Sequence, residues 1–292
     1  MRGVDLYVDK VGRGEPLVLM HGGPSADLWT MGAFRRCADQ ATLIFYDHRC
    51  NGRSTGVPVS SMTWDNLTAD ADVLRSYLGF DKWALLGHSF GGQVALEYCL
   101  RYPDRVSRLV LLDTGAESRW ARENAPRVAA QRGYGAAKAE LVRRWFAGEF
   151  MPREYFSIFW RISPAYVSGS GWRMLARELA DGAWRTRIRP QALIFAGREL
   201  LVDWSVVDRL REIHTPTLVI AGQDDFVFPP QCQHELAEGI TGAQLALVEN
   251  AGHSPQDERP DVVLSAVREF LAGRTLSCPD SLQPERPGLS PS

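Results

Sequence analysis

The chain has 292 residues, 45% of them hydrophobic, and 33 Lys and Arg stand against 35 Asp and Glu for a net charge of -2. That length buries one large core, and the charge balance excludes the basic footprint of a nucleic-acid binder. Five scattered cysteines (Cys37, Cys50, Cys99, Cys232 and Cys278) offer no C-x-x-C and no disulfide framework, and no apolar run approaches a membrane span. With no apolar leader after Met1, a soluble, cytoplasmic protein with reduced thiols is expected.

Residues 5–9 alternate as a strand, residues 12–16 form a Gly- and Pro-containing turn, and residues 17–20 and 42–46 read as buried strands. Residues 63–78 carry helical spacing through Leu67, Val73, Leu74, Tyr77 and Leu78 and lead into a strand at 83–86. A helix over 93–100 and a strand at 108–112 follow. From 116 to 213 the strand rhythm stops and aromatic-rich, helix-like sequence takes over. Strands return at 217–221 and 244–248, before a last helix at about 260–271. Apolar strands alternating with helices predict an α/β fold with a mostly parallel sheet covered on both faces. Its core spans 1–115 and 214–272, with an inserted helical cap at 116–213 over the carboxyl edge of the sheet, where open α/β sheets place their sites. Residues 273–292, Pro- and Ser-rich with little to bury, are expected to form a disordered tail.

The chemistry centres on Gly87-His88-Ser89-Phe90-Gly91, a G-x-S-x-G between a strand and a helix. A serine on so sharp a turn is held in a strained conformation that lifts its hydroxyl above the sheet, with small neighbours to avoid collision, which makes Ser89 a candidate nucleophile. A nucleophilic serine needs a base, and the base an orienting carboxylate. His253, in the loop between the last strand and the last helix, is placed to be that base. His21 and His48 follow earlier strands, His88 is the variable position of the turn, and His214 and His234 lie in polar surroundings. For the acid, Asp225 is preferred over its neighbour Asp224, with Asp113 at the end of the 108–112 strand as a third candidate. Gly23, in Met20-His21-Gly22-Gly23-Pro24, and Phe90 are the natural amide donors to an oxyanion.

These segments together resemble the α/β-hydrolase superfamily, and within it the proline iminopeptidase branch. The resemblance rests on His21-Gly22-Gly23-Pro24, on Tyr46-Asp47-His48-Arg49-Cys50-Asn51-Gly52-Arg53-Ser54, on the Ser89 turn, on residues 216–229 and on Ala251-Gly252-His253. It implies an α/β-hydrolase fold in which Ser89 is the nucleophile, Asp225 the acid, His253 the base, and Gly23 and Phe90 the oxyanion donors. The implied activity is cleavage of an ester or amide through an acyl-enzyme, as in a proline iminopeptidase-type aminopeptidase or a carboxylesterase. Thioesterase chemistry, or a non-hydrolytic lyase or cyclase step in a biosynthetic pathway, is the alternative. Neither metal nor cofactor is implied. Serine at position 89 argues against dehalogenase and epoxide hydrolase chemistry. The expected partner is a small-molecule or short-peptide substrate, without nucleic acid or membrane; the oligomeric state is not legible. Three positions depart from the branch pattern: Cys50 replaces a usual glycine, Ser25 follows His21-Gly22-Gly23-Pro24 where glycine is usual, and Phe90 stands where tryptophan is typical. A lone Cys50 reads as a small packed residue.

Residues 117–212 carry 17 Arg and Lys against 11 Asp and Glu. Such arginines read first as solvated helix faces and second as an attraction for an anionic substrate. Aminopeptidases of the branch hold a free amine with cap carboxylates, for which Glu149, Glu178 and above all Glu199 are the candidates. Trp145 and Trp160 are the expected substrate contacts within an aromatic roof that includes Trp172 and Trp184.

Overall fold

The computed structural model describes residues 3–169, 171–274, 276 and 282–285. Eight strands form one sheet in the order β1-β3-β2-β4-β5-β6-β7-β8. In chain order these are β1 (Val8–Val11), β2 (Glu15–Met20), β3 (Ala41–Tyr46), β4 (Trp83–His88), β5 (Val106–Leu112), β6 (Thr217–Gly222), β7 (Gln244–Val248) and β8 (Leu282–Glu285). Strands β2 to β7 are parallel; only β1 against β3 and β8 against β7 run antiparallel.

Parallel strands are buried on both faces, and alternate side chains divide between two cores. Val18, Met20, Ile44, Tyr46, Leu85 and Leu109 face one core. There α1 (Trp64–Tyr77) contributes Leu67 and Leu74, and α2 (Phe90–Arg101) contributes Val94 and Tyr98. Leu17, Leu19, Leu43, Phe45, Leu86 and Val110 face the other. That side is closed by a 3₁₀ run over Leu28–Cys37, which supplies Met31 and Phe34, and by the last long helix. Between β5 and β6 the chain forms α3 (Ala125–Ala129), α4 (Ala136–Ala147), α5 (Tyr155–Ile162), α6 (Gly171–Ala180) and α7 (Pro190–Phe195), joined by short 3₁₀ and π turns. Trp145 of α4 stacks on Phe150 at 5.4 Å and meets Tyr155 at 4.8 Å, and this aromatic cluster packs on Phe226, Val227 and Phe228 after β6. The chain then returns to the sheet through α8 (Pro230–Gly239), α9 (Pro255–Glu258) and α10 (Pro260–Leu271).

The first strand lies at Val8–Val11 rather than 5–9. It is an edge strand whose bounds are set by pairing with β3, Val8 opposite Tyr46, rather than by its own alternation. The expected disordered tail also needs correction: Leu282–Glu285 pair with β7 along its open edge. Such pairing uses main-chain groups and needs no apolar pattern. The remainder of that tail, apart from 273, 274 and 276, lies outside the described residues.

Candidate active site

Ser89 sits between β4 and α2 with φ 53° and ψ -121°, a left-handed φ that costs a non-glycine residue about 1–2 kcal/mol. Two hydrogen bonds hold the strain: Ser89 N donates to Leu112 O (2.9 Å), and Thr114 Oγ1 donates to Ser89 O (2.7 Å). Close approach fixes the following glycine, because a Cβ on Gly91 would lie 1.9 Å from Met20 O and 2.7 Å from His21 O. The start of α2 thus rests directly on the end of β2.

His253 Nε2 lies 3.1 Å from Ser89 Oγ, and its Nδ1 lies 2.8 Å from Asp225 Oδ2. With Nδ1–H donating to the buried carboxylate, Nε2 is left to accept from the serine hydroxyl. Asp225 Oδ1 accepts from Val227 N (2.8 Å), so both of its oxygens are engaged. Asp224, the neighbouring candidate, instead accepts from the Ser168 hydroxyl on an exposed edge. Asp113 is buried beside Asp225, with Oδ1 accepting from Gly222 N (2.9 Å). The backbone of His253 is held from two sides: its N donates to Tyr166 O of the cap (2.9 Å), and its O accepts from His88 Nε2 (2.8 Å). Burial, and then the neighbouring His253, push the His88 imidazole down to about 3, so it is a neutral donor at neutral pH. Neither this support by His88 nor that by Thr114 was expected from the sequence; their positions within the G-x-S-x-G and just after β5 are the only signal. His21 and His48 bond to each other beneath the site, where His48 N donates to His21 Nε2 (3.1 Å). His214 is exposed.

The loop after β2 reaches the serine directly, since a Cβ on Gly22 would lie 2.7 Å from His88 Nδ1 and 3.1 Å from Ser89 Cβ. Gly23 and Phe90 both line the cavity at Ser89, and the Phe90 amide is one of the unsatisfied donors at the start of α2. A helix start is suited to a developing negative charge. Asp113, Asp225 and His253 form the one three-ligand grouping among the described residues. The 2.8 Å between His253 Nδ1 and Asp225 Oδ2 fits a hydrogen bond. Two ligands of a tetrahedral zinc would stand about 3.3 Å apart, so the donor set does not fit such an ion.

Above Ser89 and His253 opens a cavity of about 860 Å³, within the size range of small-molecule sites. Its wall is mostly apolar and includes Trp145, Tyr155, Phe159, Trp160, Leu175 and Leu179. Trp145 is buried in the cap core beneath it, while Trp160 stands at the rim, 77% exposed. Trp184 is exposed outside this wall, and the Trp172 side chain lies outside the described residues. Ser25, also in the wall, shares a hydrogen bond with the Tyr155 hydroxyl (2.9 Å), which joins the loop after β2 to α5.

Of the three candidate cap carboxylates, only Glu178 lines the cavity. Burial, and then the charge of Glu258, push its carboxyl up to about 7. Glu149 pairs with Arg143 at the surface (2.6 Å). Glu199, the preferred candidate, is corrected: it is exposed, while Gly197 and Leu201 on either side of it face the cavity. Residues four apart share a helix face, and a residue midway between them points away. Cys50 takes φ 65°, as the glycine it replaces would; its thiol donates to Gly56 O (3.1 Å), is pushed up by burial, and lies outside the cavity wall.

A family model for the alpha/beta hydrolase fold matches residues 15–260. The proline iminopeptidase PfmaB of Pestalotiopsis fici is 28% identical over 264 residues, covering 88% of this chain and 92% of its own. The pimeloyl-[acyl-carrier protein] methyl ester esterase of Nitrosospira multiformis is 28% identical over 275 residues, covering 92% of this chain and 99% of its own. Among solved structures, a thermophilic esterase from Thermogutta terrifontis matches with a TM-score of 0.68 and 27% identity, over 92% of this chain and 94% of its own. No helix among the described residues is long and apolar enough to cross a membrane. Because the family match runs from the first residue of β2 to the first residue of α10, and so takes in the whole parallel sheet with the cap between β5 and β6, the chain belongs to the α/β-hydrolase family of enzymes.

Proposed function

We propose that the protein is a serine hydrolase that cleaves a small carboxylic ester bearing an apolar group, through an acyl-enzyme on Ser89. The observation that carries this reading is the continuous chain Ser89 Oγ, His253 Nε2 and Nδ1, Asp225 Oδ2, with links of 3.1 and 2.8 Å, opening into a cavity with mostly apolar walls. His253 Nε2 takes the hydroxyl proton as Ser89 Oγ bonds to the carbonyl carbon, and the electron pair of the C=O moves onto oxygen. The amides of Gly23 and Phe90 hold that oxyanion, and Asp225 stabilises the imidazolium. Collapse breaks the bond to the leaving alcohol, which receives the proton from Nε2. Water then repeats the sequence, releasing the acid and restoring Ser89.

A second reading, an aminopeptidase of the proline iminopeptidase type, is favoured by Glu178, a carboxyl inside the cavity, and by the likeness to PfmaB. The cavity wall is mostly apolar and offers more contact to an apolar acyl or alcohol group than to an ammonium group, so the ester reading is preferred. The deciding experiment compares kcat/KM for a series of aryl esters and for a prolyl arylamide, with Ser89→Ala as the blank. The expected result is ester turnover exceeding arylamide turnover, rising with acyl length, and lost at least about 10⁴-fold in Ser89→Ala. Arylamide turnover equal to or above that of the esters transfers the assignment to the aminopeptidase, and turnover that survives in Ser89→Ala overturns both.

A further inference from the structure

Asp113 follows β5 directly and lies beside the His253–Asp225 pair without being a link in it. It is fully buried, and its φ of 42° is left-handed, a conformation a non-glycine residue keeps only under constraint. The constraint is visible: Asp113 N donates to Ile220 O (2.9 Å), and Oδ1 accepts from Gly222 N (2.9 Å), which tethers the residue to β6. This strained backbone turns the carboxyl toward the site. Its second oxygen, Oδ2, is buried and has no hydrogen-bond partner of the ordinary donor–acceptor kind among the described residues. An oxygen of Asp113, an oxygen of Asp225 and a ring nitrogen of His253 all lie within 4.8 Å of one another.

Two buried carboxylates at this separation repel strongly, and a carboxyl pair of this kind keeps one proton between them. Which member holds it follows from the donors each receives. Asp225 accepts from both Val227 N–H and His253 Nδ1–H, whereas Asp113 accepts from Gly222 N–H alone. The charge therefore belongs on Asp225 and the proton on Asp113, where protonation also turns an orphaned acceptor into a donor. We propose that Asp113 is carried as a neutral carboxylic acid whose Oδ2–H donates to the Asp225 carboxylate, a third donor that fixes the rotamer of the acid behind His253. Burial, and next the Asp225 charge, hold the Asp113 carboxyl well above the usual carboxylate range. Gly222 N–H opposes this shift, while the contact with Asp225 and the more distant Glu258 add to it. Asp113 is thus a positioning residue: its proton stays in place through the reaction, and it acts on the imidazole only through Asp225.

The inference rests on His253 and Asp225 acting as the base and its acid, and the test separates the two. Infrared difference spectra of wild type minus Asp113→Asn at near-neutral pH should contain the C=O band of a protonated carboxyl, moving in D₂O. That band should persist in a Ser89→Ala background, where no turnover is needed to read it. Loss of ionised-carboxylate bands instead would overturn the proposal. In kinetics, Asp113→Asn keeps a donor toward Asp225 and changes no charge, so the acid limb of kcat/KM stays in place. Were Asp113 an anion, neutralising it would lower the imidazolium pKa and move that limb down by about 1–3 pH units, which would equally overturn the proposal. Asp113→Leu removes the donor, and the expected result is an acid limb moved upward with kcat reduced about tenfold and KM held. A lower Tm with the acid limb unmoved would reduce Asp113 to a tether for Gly222. If the leucine variant does not fold, the asparagine spectra and profile decide alone.

Discussion

Replacing Gly91 by alanine adds one methyl group where β2 meets α2. The new Cβ would fall 1.9 Å from Met20 O, 2.4 Å from Met20 C and 2.7 Å from His21 O, all main-chain atoms that no side-chain rotation can move aside. Bringing the nearest contact out to 3.0 Å, the shortest that real Cβ atoms keep, requires α2 and β2 to separate by about 1.1 Å. Ser89 and the Phe90 amide ride on α2, while Gly22 and Gly23 continue from β2, so the displacement parts the two amides proposed to hold the oxyanion from each other. A misplacement near 1 Å costs about 100-fold in rate, and losing one oxyanion donor costs about 10²–10³. The expected outcome is a fall in kcat of that order with KM little changed, because the apolar wall contributed by the cap is untouched. Overpacking should also cost about 1–3 kcal/mol, seen as a lower Tm. Steady-state kinetics with an aryl ester and a thermal melt read both quantities. A variant with kcat within about threefold of wild type and an unchanged Tm would refute the role given to this contact.

Glu178→Gln tests the cavity carboxyl. The folded state keeps the Glu178 proton up to about 7, while the unfolded chain releases it near the ordinary glutamate value, so wild type loses stability relative to the variant as pH rises between those points. Melts should coincide near pH 4 and diverge by about 2 kcal/mol at pH 8, allowing for partial solvent screening; parallel curves would contradict the burial of that carboxyl. Glu199→Ala should leave kcat and KM for every substrate unchanged and shift stability by less than about 0.5 kcal/mol, since the side chain points to solvent. A raised KM for an amine-bearing substrate in that variant would return Glu199 to the site.

The strands that carry the site were legible because burial on both faces leaves long apolar runs such as Leu17-Val18-Leu19-Met20, all fully buried. The candidate residues were legible for a related reason: Ser89, Asp225 and His253 each follow the end of a parallel strand, and the sheet alone brings those ends together. The elements that escaped lack such a signature. Helix α8 opens Pro230-Gln231-Cys232-Gln233-His234 and carries only a sparse apolar stripe at Cys232, Leu236 and Ala237. The 3₁₀ run over Leu28–Cys37 is set by tertiary bonds: Asp27 Oδ1 caps Trp29 N (3.1 Å), and Asp47 Oδ1 accepts from Leu28 N (2.9 Å) across nineteen residues. Inside the cap, composition indicated helices and an aromatic core but not the phase of each turn. Glu199 was misassigned for that reason, while Glu178, one candidate among three, proved to face the cavity. The position of a carboxylate in a sequence carries no information about which side of a helix another helix will cover.

The cap and the His253 loop are not mechanically separate. His253 N donates to Tyr166 O, and the Tyr166 and His253 rings meet edge to face at 5.5 Å. Glu258 at the end of α9 bridges the same two segments: Oε2 accepts from Ser168 N (2.9 Å) and Gly169 N (3.2 Å) of the cap, while Oε1 accepts from Gly252 N (2.6 Å) beside His253. On the opposite side, Ser25 and Tyr155 tie the loop after β2 to α5. Any rearrangement of α5 or α6 that enlarges the cavity therefore pulls on the segments that carry His253 and Gly23. An imidazole held at 3.1 Å from Ser89 Oγ has little tolerance for such a pull, because proton transfer requires hydrogen-bond contact. Glu258 lies outside the cavity wall, so its substitution is expected to act on kcat through the position of His253 rather than through contact with the substrate.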